Sequence, residues 1–142
     1  MKVVLLALLV AGAAFPSPPH EVALTRGQDI AWGEHPFIKG GMLAVQSGDP
    51  SKGPSVLLMK FPKGLTIPPH IHTSDETVTI VSGSGVFGGG ELVDLKKGTE
   101  LASGSYISIP GKSPHWAVVK DELIMTVSLN LPADFHLCGD KK

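Results

Sequence analysis

Residues 64–83 read Gly64-Leu65-Thr66-Ile67-Pro68-Pro69-His70-Ile71-His72-Thr73-Ser74-Asp75-Glu76-Thr77-Val78-Thr79-Ile80-Val81-Ser82-Gly83. Side chains two apart on a strand point to one face. His70 and His72 therefore share a face, and Glu76, four residues on, has the same parity. A continuous or gently bent strand would project all three to one side. A later β-rich run brings His115, directly after the turn Pro110-Gly111-Lys112-Ser113-Pro114. Three imidazoles and one carboxylate make a ligand set for a first-row transition metal. Around an octahedral ion they leave two positions open for water, dioxygen or substrate. Zinc accepts such ligands too, but a structural zinc site is usually tetrahedral and closed.

Outward from this stretch, the chain is a series of short β-rich runs. Candidate strands are Met42–Gln46, Ser55–Phe61, Thr77–Val81, Ser105–Ile109, His115–Val119 and Leu123–Leu129. In the last, Leu123, Met125, Val127 and Leu129 share one face. The stretch 47–54 is a loop by composition, and 62–64, 88–90, 96–98 and 110–114 are turns. No long segment carries apolar residues at a 3.6 period. Short strands with turn signals every eight to twelve residues predict an all-β sandwich or barrel.

The spacing within 64–83 resembles the first motif of the cupins, G-x5-H-x-H-x3,4-E-x6-G, at every defined position, from Gly64 through His70, His72 and Glu76 to Gly83. The second cupin motif, G-x5-P-x-G-x2-H-x3-N, is matched at Gly104, Pro110 and His115. Lys112 and Val119 stand where it has Gly and Asn. The resemblance covers roughly residues 64–119. It implies a small, single-domain, RmlC-like cupin with a double-stranded β-helix, or jelly-roll barrel. It further implies that His70, His72, Glu76 and His115 bind one divalent transition metal ion per chain: iron, manganese, nickel, copper or zinc. Small cupins of this kind are commonly homodimers.

Other features carry less. Gly83-Ser84-Gly85-Val86-Phe87-Gly88 has the glycine spacing of a dinucleotide-binding turn, but no helix follows, so a hairpin turn is expected. Asp75, the neighbour of Glu76, is expected to face solvent. Trp116 is expected to turn away from the metal, as a core or interface residue. His35 and His136 are expected on the surface, and Leu57, Met59 and Phe61 in the core.

The chain has 142 residues, enough for one domain. Hydrophobic residues at 42% exclude general disorder. A formal net charge of −1 without basic clusters argues against a nucleic-acid partner. Lys2, the apolar run Val3–Val10 and then Ala11-Gly12-Ala13 have the three parts of a secretory signal. The expected organisation is a signal peptide over 1–13, a Pro-rich linker over 14–21, a cupin domain over 22–137 and a polar tail over 138–142. Cleavage after Ala13 would give an exported protein, periplasmic or secreted, with no membrane attachment. Cys138 is the one cysteine, so no internal disulfide staples the core.

Three functions are open at this point. One is a metal-dependent oxygenase or related oxidoreductase acting on a small organic molecule, in which Glu76 could leave the metal and act as a base. The second is a non-enzymatic module that binds a small ligand or the metal itself. The third is a lyase or isomerase that uses the metal as a Lewis acid. Fold alone does not choose among them.

Overall fold

Glycine- and proline-rich punctuation between β-branched and apolar runs favours strands over helices, and strands dominate the structure. The computed structural model describes residues 22–130 and 132–139. The stretch 1–21, expected to hold the signal and linker, and residues 140–142 of the expected tail lie outside the described residues. A three-residue 3-10 turn, Gly27–Asp29, precedes nine strands: β1 Gly33–Glu34, β2 Met42–Gly48, β3 Ser55–Phe61, β4 Thr66–Ile71, β5 Glu76–Gly89, β6 Thr99–Ala102, β7 Tyr106–Ile109, β8 His115–Leu129 and β9 His136–Leu137. Every pairing is antiparallel. The order β1-β2-β3-β8-β4-β9 is joined through β8 to β5, which also carries β6 and β7. The sheet curls around an apolar interior, as the all-β expectation required.

Strand β8 is the axis of the fold. The two expected strands His115–Val119 and Leu123–Leu129 are one 15-residue strand, because 120–122 stay in the ladder as exposed residues. Leu123, Met125, Val127 and Leu129 are all buried, as their alternation predicts. They meet Leu57, Phe61, Val78 and Ile80 in the core, with Met59 packed against it.

Strand β5 corrects two expectations. It runs from Glu76 to Gly89, so Gly83–Gly88 form no hairpin turn but lie inside a strand, and of the turn expected over 88–90 only Gly90 lies outside it. Its pairing with β8 shifts register three times between Ile80 and Gly85. These irregularities let the first half pair with β7 and the second half with β6. Gly83 sits at φ 83°, and a Cβ there would stand 1.9 Å from the Glu122 carbonyl oxygen. Gly88 leaves the space that the Trp116 indole fills, since a Cβ would stand 2.2 Å from that ring. The glycines thus serve close approach inside a strand, which composition alone cannot distinguish from a turn.

Strand β4, like β1, β6 and β9, is absent from the candidate strands, and it contains Pro68 and Pro69, which disfavour a regular strand. The β4–β8 register shifts between Ile67 and His70, so both prolines fall where the ladder is interrupted.

Candidate metal centre

The bulge in β4 returns the chain to register at His70, directly opposite His115 on β8. His72 lies one residue beyond the end of β4. Residues 72–75 then bend, and Glu76 opens β5. The expected continuous strand is therefore absent, and the shared parity of His72 and Glu76 is not what unites them. A tight turn does so instead. The Asp75 carboxylate is exposed, as expected, yet Oδ1 accepts a hydrogen bond from Gly111 N at 2.7 Å. Lys112 N donates to the His72 carbonyl at 2.7 Å. These two bonds tie the turn before Glu76 to the turn before His115. Among the described residues, Lys112 is the one non-glycine with positive φ, at 64°. Where the cupin motif has Gly, Lys112 thus takes a left-handed conformation that glycine adopts readily, held by its backbone bond to His72. Val119, in place of the motif's Asn, is a buried core residue.

Each of the three histidines is anchored in the same way. His70 Nδ1 lies 2.7 Å from the Pro68 carbonyl, and His115 Nδ1 lies 2.9 Å from the Ser113 carbonyl. His72 Nδ1 bonds the carbonyl of Asp134. A carbonyl only accepts, so each Nδ1 carries the proton and, in a neutral ring, each Nε2 presents a lone pair. The three rings offer nitrogen ligand atoms within 4.8 Å of one another, a set that can hold a metal ion. Glu76 Oε2 lies 3.2 Å from both His72 Nε2 and His115 Nε2. Glu76 is 5% exposed, and Oε2 is buried without a hydrogen-bond partner. Lone pairs and a carboxylate oxygen facing one another need a proton or a cation between them. The donor set, the carbonyl anchors and the orphaned oxygen all fit a bound divalent cation.

Electrostatics show the same tension. Burial would raise the Glu76 pKa, but the facing imidazoles of His115, His72 and His70 outweigh it and hold the carboxyl below its ordinary range. Burial lowers His115, yet contact with Glu76 carries its pKa above the ordinary value. His70 is pushed down to about 4, first by burial and then by His115 beside it.

His35 is a correction. Expected on the surface, it is only 9% exposed, and its Nδ1 accepts from Phe37 N and Ile38 N at 3.2 and 3.1 Å. Its ring lies 5.8 Å from Phe61. It carries the opposite tautomer to the other three, and its loop's own N–H groups satisfy it. Burial and then His72 lower its pKa to about 4. His136 is exposed, as expected. Trp116 is core at 2% exposure, but it also lines the cavity beside the ligands, as do Met59 and Phe61.

These low values set a pH dependence for the metal-free protein. His35 and His70 stay neutral when folded down to about 4, whereas the unfolded chain protonates them near 6.5. Between those values the unfolded state binds more protons, so stability is lost as pH falls. His115 does not oppose this, because its raised pKa leaves it protonated in both states there. The melting temperature of metal-free protein is expected to fall from pH 6.5 to 4. A flat or rising profile would refute this assignment.

Two site residues escaped the sequence reading. Asp134 anchors His72 from 62 positions away and also bonds Thr73 N at 2.9 Å. Phe135 stacks on His70, with ring centroids 4.3 Å apart. Both belong to the segment leading into β9, which pairs with β4 at His70 and Ile71. No local pattern marks a residue that acts across so long a loop.

Comparison with known proteins places the architecture. Over 80% of this chain and 93% of its own, an RmlC-like cupin from Shewanella frigidimarina superposes with a TM-score of 0.62 at 18% identity. This is a cupin fold. The polyketide cyclase RemF from Streptomyces resistomycificus gives a TM-score of 0.65 at 16% identity, covering 86% of this chain and 89% of the cyclase. Such low identities speak for the fold alone. In sequence, the acireductone dioxygenase of Leptospira biflexa is 39% identical over 71 residues, or 48% of this chain and 35% of that enzyme. The match thus spans about a third of the dioxygenase's length. No protein-family model matches the chain.

Proposed function

We propose that this chain is an exported, mononuclear metal-binding cupin, an oxygenase or related oxidoreductase that acts on a small organic molecule and works as a homodimer. The observation that carries the reading is the convergence of three carbonyl-anchored imidazoles on the orphaned Oε2 of Glu76. His70, His72, His115 and Glu76 would hold the ion. Bound there, a first-row divalent metal would supply Lewis acidity and open positions for small ligands. The sequence likeness to a dioxygenase supports the oxidoreductase class, and the apolar start of the chain supports export.

The protein's own groups do the rest. The Nδ1 anchors fix ring orientation and keep the Nε2 lone pairs aimed inward. Phe87, Ile107, Ile109 and Trp116 line the cavity with apolar surface. Glu76 Oε2, buried and free of other partners, can accept a substrate proton.

The test loads the protein with iron or manganese, measures metal content, and follows dioxygen uptake with candidate small organic acids and ketones. Glu76→Gln is expected to retain part of its metal, because an amide oxygen coordinates weakly, yet to lose turnover, because it cannot take a proton. Tight ligand binding without turnover would instead mark a binding module. Turnover without dioxygen uptake would mark a lyase or isomerase.

A further inference from the structure

The cavity beside the candidate ligands is small, about 50 Å³, which is room for roughly four water-sized volumes. Phe135 closes one side of it. Its ring lies 4.3 Å from that of His70 at an interplanar angle of 18°, and Phe37 stacks on it in turn at 5.3 Å and 8°. A second cavity, of about 130 Å³, shares Phe135 as a wall and is lined by Phe37, Leu57, Met59, Leu129 and Ala133. The Phe135 ring thus stands, with His35, Met59 and His72, between the metal-side space and an apolar chamber.

The partition is fixed from both sides. Ala133 N donates to the Pro50 carbonyl at 2.7 Å, and Cys138 N donates to the Pro69 carbonyl at 2.9 Å. Between them, the Asp134 carboxylate accepts from Thr73 N and His136 Nε2, and β9 pairs with β4. These bonds hold the backbone on either side of Phe135 in place.

We propose that Phe135 sets the size limit of this centre, admitting a compact substrate of a few heavy atoms and rejecting one that carries an aromatic ring. The inference rests on the metal reading above for where the substrate's polar head binds. The size limit itself rests on the ring and the two cavities.

The test uses acetohydroxamate and benzohydroxamate, which share a metal-chelating head and differ in the tail. Calorimetric titration of nickel-loaded protein should show acetohydroxamate binding at least about tenfold more tightly, since even one methylene in a filled pocket is worth roughly 10–200-fold. In Phe135→Ala, benzohydroxamate should gain about tenfold or more relative to acetohydroxamate. Phe135→Leu, which keeps an apolar anchor for the segment, should move in the same direction. Equal binding of both probes by the parent, or an unchanged ratio in both variants, would overturn the proposal. If neither probe shows metal-dependent binding, the metal reading fails, and the size limit is read with benzene on metal-free protein. A clearly larger thermal stabilisation of either variant than of the parent would support the partition. Stabilisation of both variants no larger than the parent's would overturn it.

Discussion

Replacing His72 with alanine is expected to lower divalent-metal affinity by more than the roughly 10–100-fold that follows loss of a supporting partner around a metal. A candidate ligand itself is removed, and with it the ring that the Asp134 carbonyl holds in place. Neutral imidazoles are required for binding, so affinity in the parent should also fall on acidification. His115 protonates first, because Glu76 holds its pKa above the ordinary value; His70 resists down to about 4. Metal content of dialysed parent and variant across pH measures both effects. The variant should still fold, since His72 lies at the end of a strand and outside the apolar core. Metal binding equal to the parent's in His70→Ala, His72→Ala, Glu76→Ala and His115→Ala alike would remove the site assignment.

Leu123→Ala should do the reverse. Leu123 is 0% exposed, pairs opposite Phe61 across β3 and β8, and sits beside the close approach of Gly83. Truncating a buried leucine in a rigid core costs about 3–5 kcal/mol through lost burial and the cavity left behind. For a domain of this size that is on the order of 10–20 °C in melting temperature. Leu123 does not line the cavity at the candidate ligands. Metal bound per folded chain, measured below the lowered transition, should stay at the parent level. A change in melting temperature within a few degrees would show that the β8 core is not what holds the barrel together. The two variants together separate the centre from the scaffold that carries it.

The residue spacing in 64–83, through its resemblance to the first cupin motif, already pointed to the fold and to three of the four candidate ligands. Period-two alternation in Leu123–Leu129 identified the buried face of β8, and Ser55–Phe61 has the same bounds in sequence and structure. The spacing of His70, His72 and Glu76 proved informative for a reason other than the simple one. Strand parity pointed to a common face, but the chain breaks between His72 and Glu76, and a turn tied to Gly111 and Lys112 restores the convergence. Parity is a local property, whereas that turn is held by bonds to residues about 40 positions away.

Glycine misled for a related reason. It is read locally as a turn, yet Gly83–Gly88 lie in a strand that must pass close to β8 and Trp116. Which use applies depends on what packs against the backbone. His35 went astray likewise: its burial follows from packing on Phe61 and from two N–H groups of its own loop.

The sequence by itself determined the all-β class, the alternating core of β8 and the identity of the four candidate ligands, because each is written in short-range spacing and residue chemistry. Only the tertiary structure decided the tautomers of the three histidines, the isolation of Glu76 Oε2, and the closure of the site by Asp134 and Phe135. Those depend on which carbonyl, ring or cavity a distant part of the chain brings alongside, and no local period encodes a contact across 62 residues.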